Sequence, residues 1–104
     1  MLFVLIARNL PGEEALAARE RLRPQQLETV RAMVARGTMR FGGAILDARD
    51  APAGSMAVLD FETRAELDAW IEAHPYRRCG VWGEIDVWPL LPAPVFAEKS
   101  GTHG

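Results

Sequence analysis

A single cysteine, Cys79, has no second cysteine to pair with, so an intrachain disulfide and a fold stapled for secretion are both excluded. Positive charge is not in excess either. Twelve Lys and Arg stand against 14 Asp and Glu, a formal net charge of -2, and such a balance makes no basic field for nucleic acid. The first apolar run, residues 1–7, is too short to cross a membrane and lacks the positive start and small-residue cleavage site of a signal peptide. A cytoplasmic protein with no membrane partner is expected. Histidine is scarce as well: His74 and His103 form no cluster with Cys79 at ligand spacing, so no metal is expected. The pair Gly42-Gly43 lacks the following helix and lysine of a phosphate loop, and no cofactor is expected.

What is present is an ordinary globular composition, 49% hydrophobic and 25% charged, in 104 residues that suit one domain with a modest core. Leu2 to Ala7 is apolar at every position, which predicts a central strand covered on both faces. Residues 13–23 are polar and helix-permissive. Pro24 then stands where a first turn tolerates a missing N–H, and Leu27, Val30, Met33 and Val34 form one stripe up to Arg36-Gly37, predicting a first helix over 24–36. A second strand is expected over 38–47, with Met39, Phe41 and Ile45 inward and a bulge or close backbone approach at Gly42-Gly43. Residues 50–54 read as a turn and 55–61 as a third strand.

Thr63 with Glu66 three residues on is a capping-box signature, and Leu67, Trp70 and Ile71 make the buried stripe of a second helix. Pro75 disfavours helical geometry at His74, so the helix stops there. The last strand, 81–88, alternates: Val81, Ile85 and Val87 on one face, Trp82, Glu84, Asp86 and Trp88 on the other. The domain ends near residue 91, and 92–104 reads as a mobile tail with little to bury.

The order βαββαβ predicts a ferredoxin-like α+β fold, a four-stranded antiparallel sheet with both helices on one face. Trp82 and Trp88 put much aromatic surface on the other face, which predicts a homodimer packed sheet to sheet.

These pieces, in their order and spacing, resemble the YciI-like (YCII-related) family of the dimeric α+β barrel superfamily, and the resemblance implies that barrel for the expected homodimer. The resemblance runs from Met1 to about Leu91 and rests on several short pieces. They are Arg23-Pro24-Gln25-Gln26-Leu27, then Gly37, Gly43 and Gly54-Ser55, then Phe61 with Leu67 and Trp70, Pro75-Tyr76, Gly80-Val81, and Val87 two residues before Pro89. In that family a histidine near the start of helix one and an aspartate before the Pro-Tyr pair are regarded as a catalytic dyad. The resemblance therefore points to Gln26 and His74, which occupy the places of that histidine and that aspartate. It implies acid–base chemistry of isomerase or lyase type on a small organic acid or an aromatic ring-cleavage compound. The alternative is a non-catalytic dimeric ligand-binding or accessory module that has lost the dyad.

On the residues alone, His74 either serves as a general acid or base near neutral pH or closes the helix as a cation at its negative end. Gln26 is able to hydrogen-bond His74 but supplies no charge; Glu28, Asp60, Glu84 and Asp86 are the carboxylates able to replace it. The last two equally suit the polar rim of a dimer interface. Arg23 is a candidate clamp for an anionic substrate or a solvated helix-start arginine, and Ser55 and Tyr76 are candidate hydrogen-bond donors in the same pocket or packing residues. Cys79 reads as a buried or inert thiol.

Overall fold

The computed structural model describes residues 1–96. Its elements follow the order β1 (Leu2–Asn9), α1 (Glu13–Arg36), β2 (Met39–Leu46), β3 (Pro52–Asp60), α2 (Arg64–Ala73), α3 (Pro75–Arg78) and β4 (Trp82–Leu90). The strands form one antiparallel sheet in the order β2-β3-β1-β4, the ferredoxin-like arrangement. As its unbroken apolar run requires, β1 is interior, with a strand on either side. Phe3, Leu5 and Ala7 point to the helix layer and are buried with Ala57 and Leu59 against Ala18 and Met33 of α1 and Leu67 and Ile71 of α2. The alternate residues Leu2, Val4 and Ile6 face the uncovered side of the sheet and are half-buried. The expected mobile tail falls for most of its length, His103 included, outside the described residues.

α1 is nearly twice as long as its apolar stripe predicts, because it begins at Glu13 and runs through Pro24. Proline removes one hydrogen bond from a helix interior, usually at a cost of about 3 kcal/mol. Here the ring faces solvent and the helix is anchored at both ends by Ala15, Ala18 and Met33, so packing outweighs the local preference. The acidic pair Glu13 and Glu14 meets the positive end of the dipole. Gly37, at φ 78°, ends the helix as expected, with Gly37 N–H donating to Val34 O at 3.0 Å and Thr38 N–H to Met33 O at 2.9 Å. Of the predicted stripe, Met33 is buried and Val30 partly so, while Leu27 and Val34 remain exposed.

Two bulges correct the expected faces. In β2, Met39 pairs with Leu59 but Phe41 with Val58, so Arg40 is an extra residue. It leaves Met39 in the core and turns Phe41 and Ile45 to the open face, where both are exposed. The irregularity thus flanks Gly42-Gly43, which pair regularly with Ala57 and Met56. In β4 the register steps from Ala7–Ile85 to Asn9–Trp82, three residues against two. That extra residue brings Trp82 to the helix side, where it is 3% exposed, while Trp88, opposite Val4, stays on the open face at 49%. The prediction that the two tryptophans share a face is therefore overturned.

The turn before β3 lies earlier than expected. Asp47 Oδ1 accepts from the N–H groups of Arg49 and Ala51, at 2.8 and 3.1 Å, and β3 already begins at Pro52. Gly54 belongs to the strand rather than the turn: a Cβ there would lie 2.6 Å from Ala7 O. α2 starts as predicted, with Thr63 Oγ1 accepting from Glu66 N–H at 3.1 Å, and stops at Ala73. The short α3 that follows is not anticipated by the sequence reading. Among the described residues no helix is long and apolar enough to cross a membrane.

Candidate functional site

α1 packs on the core most fully near its ends, with Leu22 and Val30 between them only partly buried. Its fully buried residues are Ala15 and Ala18 near the start and Met33 near the finish, and the stretch between them spans a cavity of about 710 Å³. The sheet beneath is lined with small side chains, Gly42, Ala44, Ser55 and Ala57, which is why space remains there. A Cβ on Gly42 would press to 3.2 Å from Met39 Sδ and 3.3 Å from Met56 O. The third wall is aromatic, built by Trp70, Tyr76 and Trp82 around His74.

His74 joins α2 to α3. Its extended backbone, φ -67° and ψ 133°, is what the following proline demands, and it lets one residue end α2 and begin α3. Pro75 then occupies the first turn, where its missing N–H costs nothing. The imidazole is 3% exposed and stacks on Trp82 with centroids 4.1 Å apart and planes at 28°. Trp70 meets it edge-on at 5.0 Å and Tyr76 tilted at 5.2 Å.

His74 Nδ1 accepts the backbone N–H of Tyr76 at 3.0 Å, so that nitrogen carries no proton. Burial without a counter-charge pushes the pKa down from 6.5 to about 4, and the ring is neutral at pH 7. The single proton of the neutral ring is then on Nε2, which is buried and has no partner among the described residues. The expectation of an imidazolium meeting the negative end of α2 is overturned. The ring is uncharged and caps the start of α3 instead.

Gln26 reaches the same cavity from α1, and its Oε1 is likewise buried without a partner. Two such atoms are unusual, since a buried polar atom left unsatisfied costs about 1–3 kcal/mol. Arg19 and Arg23, one turn apart, also line the cavity. Arg19 donates to Asn9 Oδ1 at 2.9 Å and lies 5.2 Å over the Tyr76 ring. Burial lowers the Arg19 pKa, the charge of Tyr76 opposes this and Arg23 adds to it. Burial raises the Tyr76 pKa, against the pull of both arginines. Neither arginine forms an ion pair among the described residues. Ser55 Oγ accepts the indole N–H of Trp82 at 3.1 Å, which leaves its own O–H to donate.

All five residues singled out from the sequence, Arg23, Gln26, Ser55, His74 and Tyr76, therefore line one cavity. The four carboxylates considered as replacements do not. Glu28 pairs with Arg31, Asp60 with Arg40 and the N-terminus, and Glu84 and Asp86 with Arg8 on the surface. Glu20 is the one carboxylate among the described lining residues. Arg19 and Trp82 were missed; only the spacing of Arg19 to Arg23, one helical turn, marks the first in the sequence. Cys79 is exposed rather than buried. Among the described residues no group of three or more metal-ligating side chains exists.

No curated protein matches the chain. Among solved structures, the chain is similar to 5-chloro-2-hydroxyhydroquinone dehydrochlorinase (TftG) from Burkholderia phenoliruptrix AC1100, in complex with 2,5-dihydroxybenzoquinone. The likeness has a TM-score of 0.80 at 20% identity and covers 91% of this chain and 98% of that one, which establishes the shared fold. The family model of the YCII-related domain matches residues 1–91, the whole of the sheet and all three helices, and the chain belongs to that family.

Proposed function

We propose that this protein binds a small planar organic anion, an aromatic or quinonoid acid, in the cavity beneath α1. The observation that carries this reading is the donor set. His74, which lines the cavity, offers a neutral Nε2–H, and Arg19 and Arg23 on the same lining have no ion-pair partner among the described residues. Two cations close enough to repel each other favour an anion between them. The aromatic wall and the small-residue floor suit a flat ring.

This geometry favours binding over acid–base work by His74. With Nδ1 engaged and Nε2 protonated, the neutral ring has no free lone pair to take a proton. A turnover reading is supported by the likeness to a dehydrochlorinase. In that reading His74 Nε2–H and Arg19 stabilise the oxyanion formed during an isomerisation or elimination, and Glu20 is the carboxylate at hand for the proton.

Calorimetry with benzoate, the hydroxybenzoates and 2,5-dihydroxybenzoquinone tests the binding reading. At least one is expected to bind below about 1 mM, and Arg23→Gln is expected to weaken it about tenfold. Failure of every ring acid to bind at millimolar concentration would remove the reading.

We further propose that two copies pair through the open sheet face. Phe41 and Trp88 are exposed there beside half-buried Val4, Ile6 and Val58, an apolar patch of the kind that soluble monomers keep small. Sedimentation at micromolar concentration is expected to give twice the mass of one chain, and Trp88→Glu to shift it toward the single-chain mass. A wild-type mass of one chain would sink this.

A further inference from the structure

We infer that the cavity recognises an un-ionised hydroxyl group on its ligand, held between His74 Nε2–H and Gln26 Oε1. This rests on the reading of the cavity as a site for a planar organic anion, and adds which second group that anion carries.

Three observations support it. The His74 donor is fixed, because the Tyr76 backbone N–H occupies Nδ1 at 3.0 Å and leaves the ring proton on Nε2. That nitrogen is buried and has no partner among the described residues, in a side chain that is 3% exposed and belongs to a residue lining the cavity. Gln26 lines the same cavity, and its Oε1, an acceptor, is likewise buried with no partner among the described residues. The two orphans are thus of opposite kind, one donor and one acceptor.

Few ligand groups satisfy both. A carboxylate or phenolate oxygen accepts from His74 but sets a lone pair against the Gln26 carbonyl. An ammonium donates to Gln26 and leaves His74 unmatched. A fluorine or an ether oxygen has nothing to donate. A hydroxyl accepts from one and donates to the other, and a buried pair left unmatched makes the discrimination steep. The negative charge of the ligand then belongs with Arg19, Arg23 and the Tyr76 hydroxyl, all on the cavity lining. The ligand class is a flat ring acid bearing a separate hydroxyl that stays protonated in the site.

The experiment compares 2-, 3- and 4-hydroxybenzoate with the corresponding fluorobenzoates by titration calorimetry at pH 7.5. Fluorine nearly matches the size of the hydroxyl and cannot donate. At least one hydroxy isomer is expected to bind about tenfold or more tightly than its fluoro counterpart. In Gln26→Leu, a substitution that preserves volume and helix propensity on a partly exposed helix, the ratio is expected to fall to within about twofold. Ring acids that bind with ratios near one for all three isomers would overturn the hydroxyl inference and leave the anion site standing. A high ratio that survives Gln26→Leu would overturn the assignment to this pair. No binding by any ring acid would take down both readings.

Discussion

Trp82→Ala is expected to cost the fold about 4 kcal/mol, in the range found when large buried aromatic side chains are truncated. The indole is 3% exposed, lies stacked at 4.1 Å on His74 and meets Tyr76 edge-on at 5.7 Å. Its N–H donates to Ser55 Oγ across the sheet. Alanine would leave a void beside an existing cavity, and the stacked imidazole would lose the surface that holds it flat. A domain of this size has about 5–15 kcal/mol in total, so the loss is a large share. Urea unfolding should show a lower midpoint at an unchanged slope. Trp82→Phe retains most of the stack and loses the Ser55 bond, with an expected cost of about 1–2 kcal/mol. A loss below about 1.5 kcal/mol for Trp82→Ala would mean that the aromatic cluster is not part of the stabilising core.

Acid should weaken the protein well above the usual carboxylate range, and His74 is the reason. Its pKa falls from 6.5 to about 4 on folding, because burial penalises the charged form. Between those two values the unfolded chain holds more protons than the folded one, so stability rises with pH. The contribution is fully present above pH 6.5 and is lost as the pH falls toward 4. Below that the folded ring also protonates and the loss levels off. About 2.5 pKa units correspond to about 3 kcal/mol. Urea midpoints at intervals from pH 7.5 to 4 measure the slope. His74→Asn keeps an oxygen to accept the Tyr76 N–H and has no ring to titrate, so its profile should be nearly flat. Parallel profiles for the two proteins would show that the ring does not set the pH dependence.

The order of elements was legible because each carries its own period or stop signal. The apolar run of β1, the Thr63 cap and Gly37 all do locally what their chemistry predicts. Faces were harder to read. Alternation assumes a regular ladder, and one extra residue in β2 and one in β4 reverse it, sending Phe41 outward and Trp82 inward. No composition signal marks Arg40 as a bulge. Pro24 misled for a different reason: a rule about helix starts is a local preference, and here tertiary anchoring at both ends prevails. Pro75 is a stop for α2, as its restriction on the preceding residue predicts. It is also a start, and His74-Pro75 in fact fits the cap-then-proline signature of α3.

The site was legible as a set of residues and not as chemistry. Arg23, Gln26, Ser55, His74 and Tyr76 come from three parts of the chain, and the family resemblance, not any periodicity, pointed to them together. What the ring of His74 does depends on a backbone N–H two residues on and on the aromatic walls around it. Neither is encoded in residue type. Arg19 lies before the helix that the apolar stripe predicts, so the stripe does not place it one turn before Arg23 on the same helix.

The bulge in β4 also divides the optical signal of the protein. Trp82 and Trp88 are six residues apart on one strand yet lie on opposite sides of the sheet. With Trp70 beside it, Trp82 emits from the wall of the cavity next to the proposed ligand, whereas Trp88 emits from the apolar face proposed to meet a second copy. Intrinsic fluorescence therefore carries two separable reports. Iodide quenching of Trp88 follows self-association, and energy transfer from Trp82 to a coloured quinone follows occupancy of the cavity.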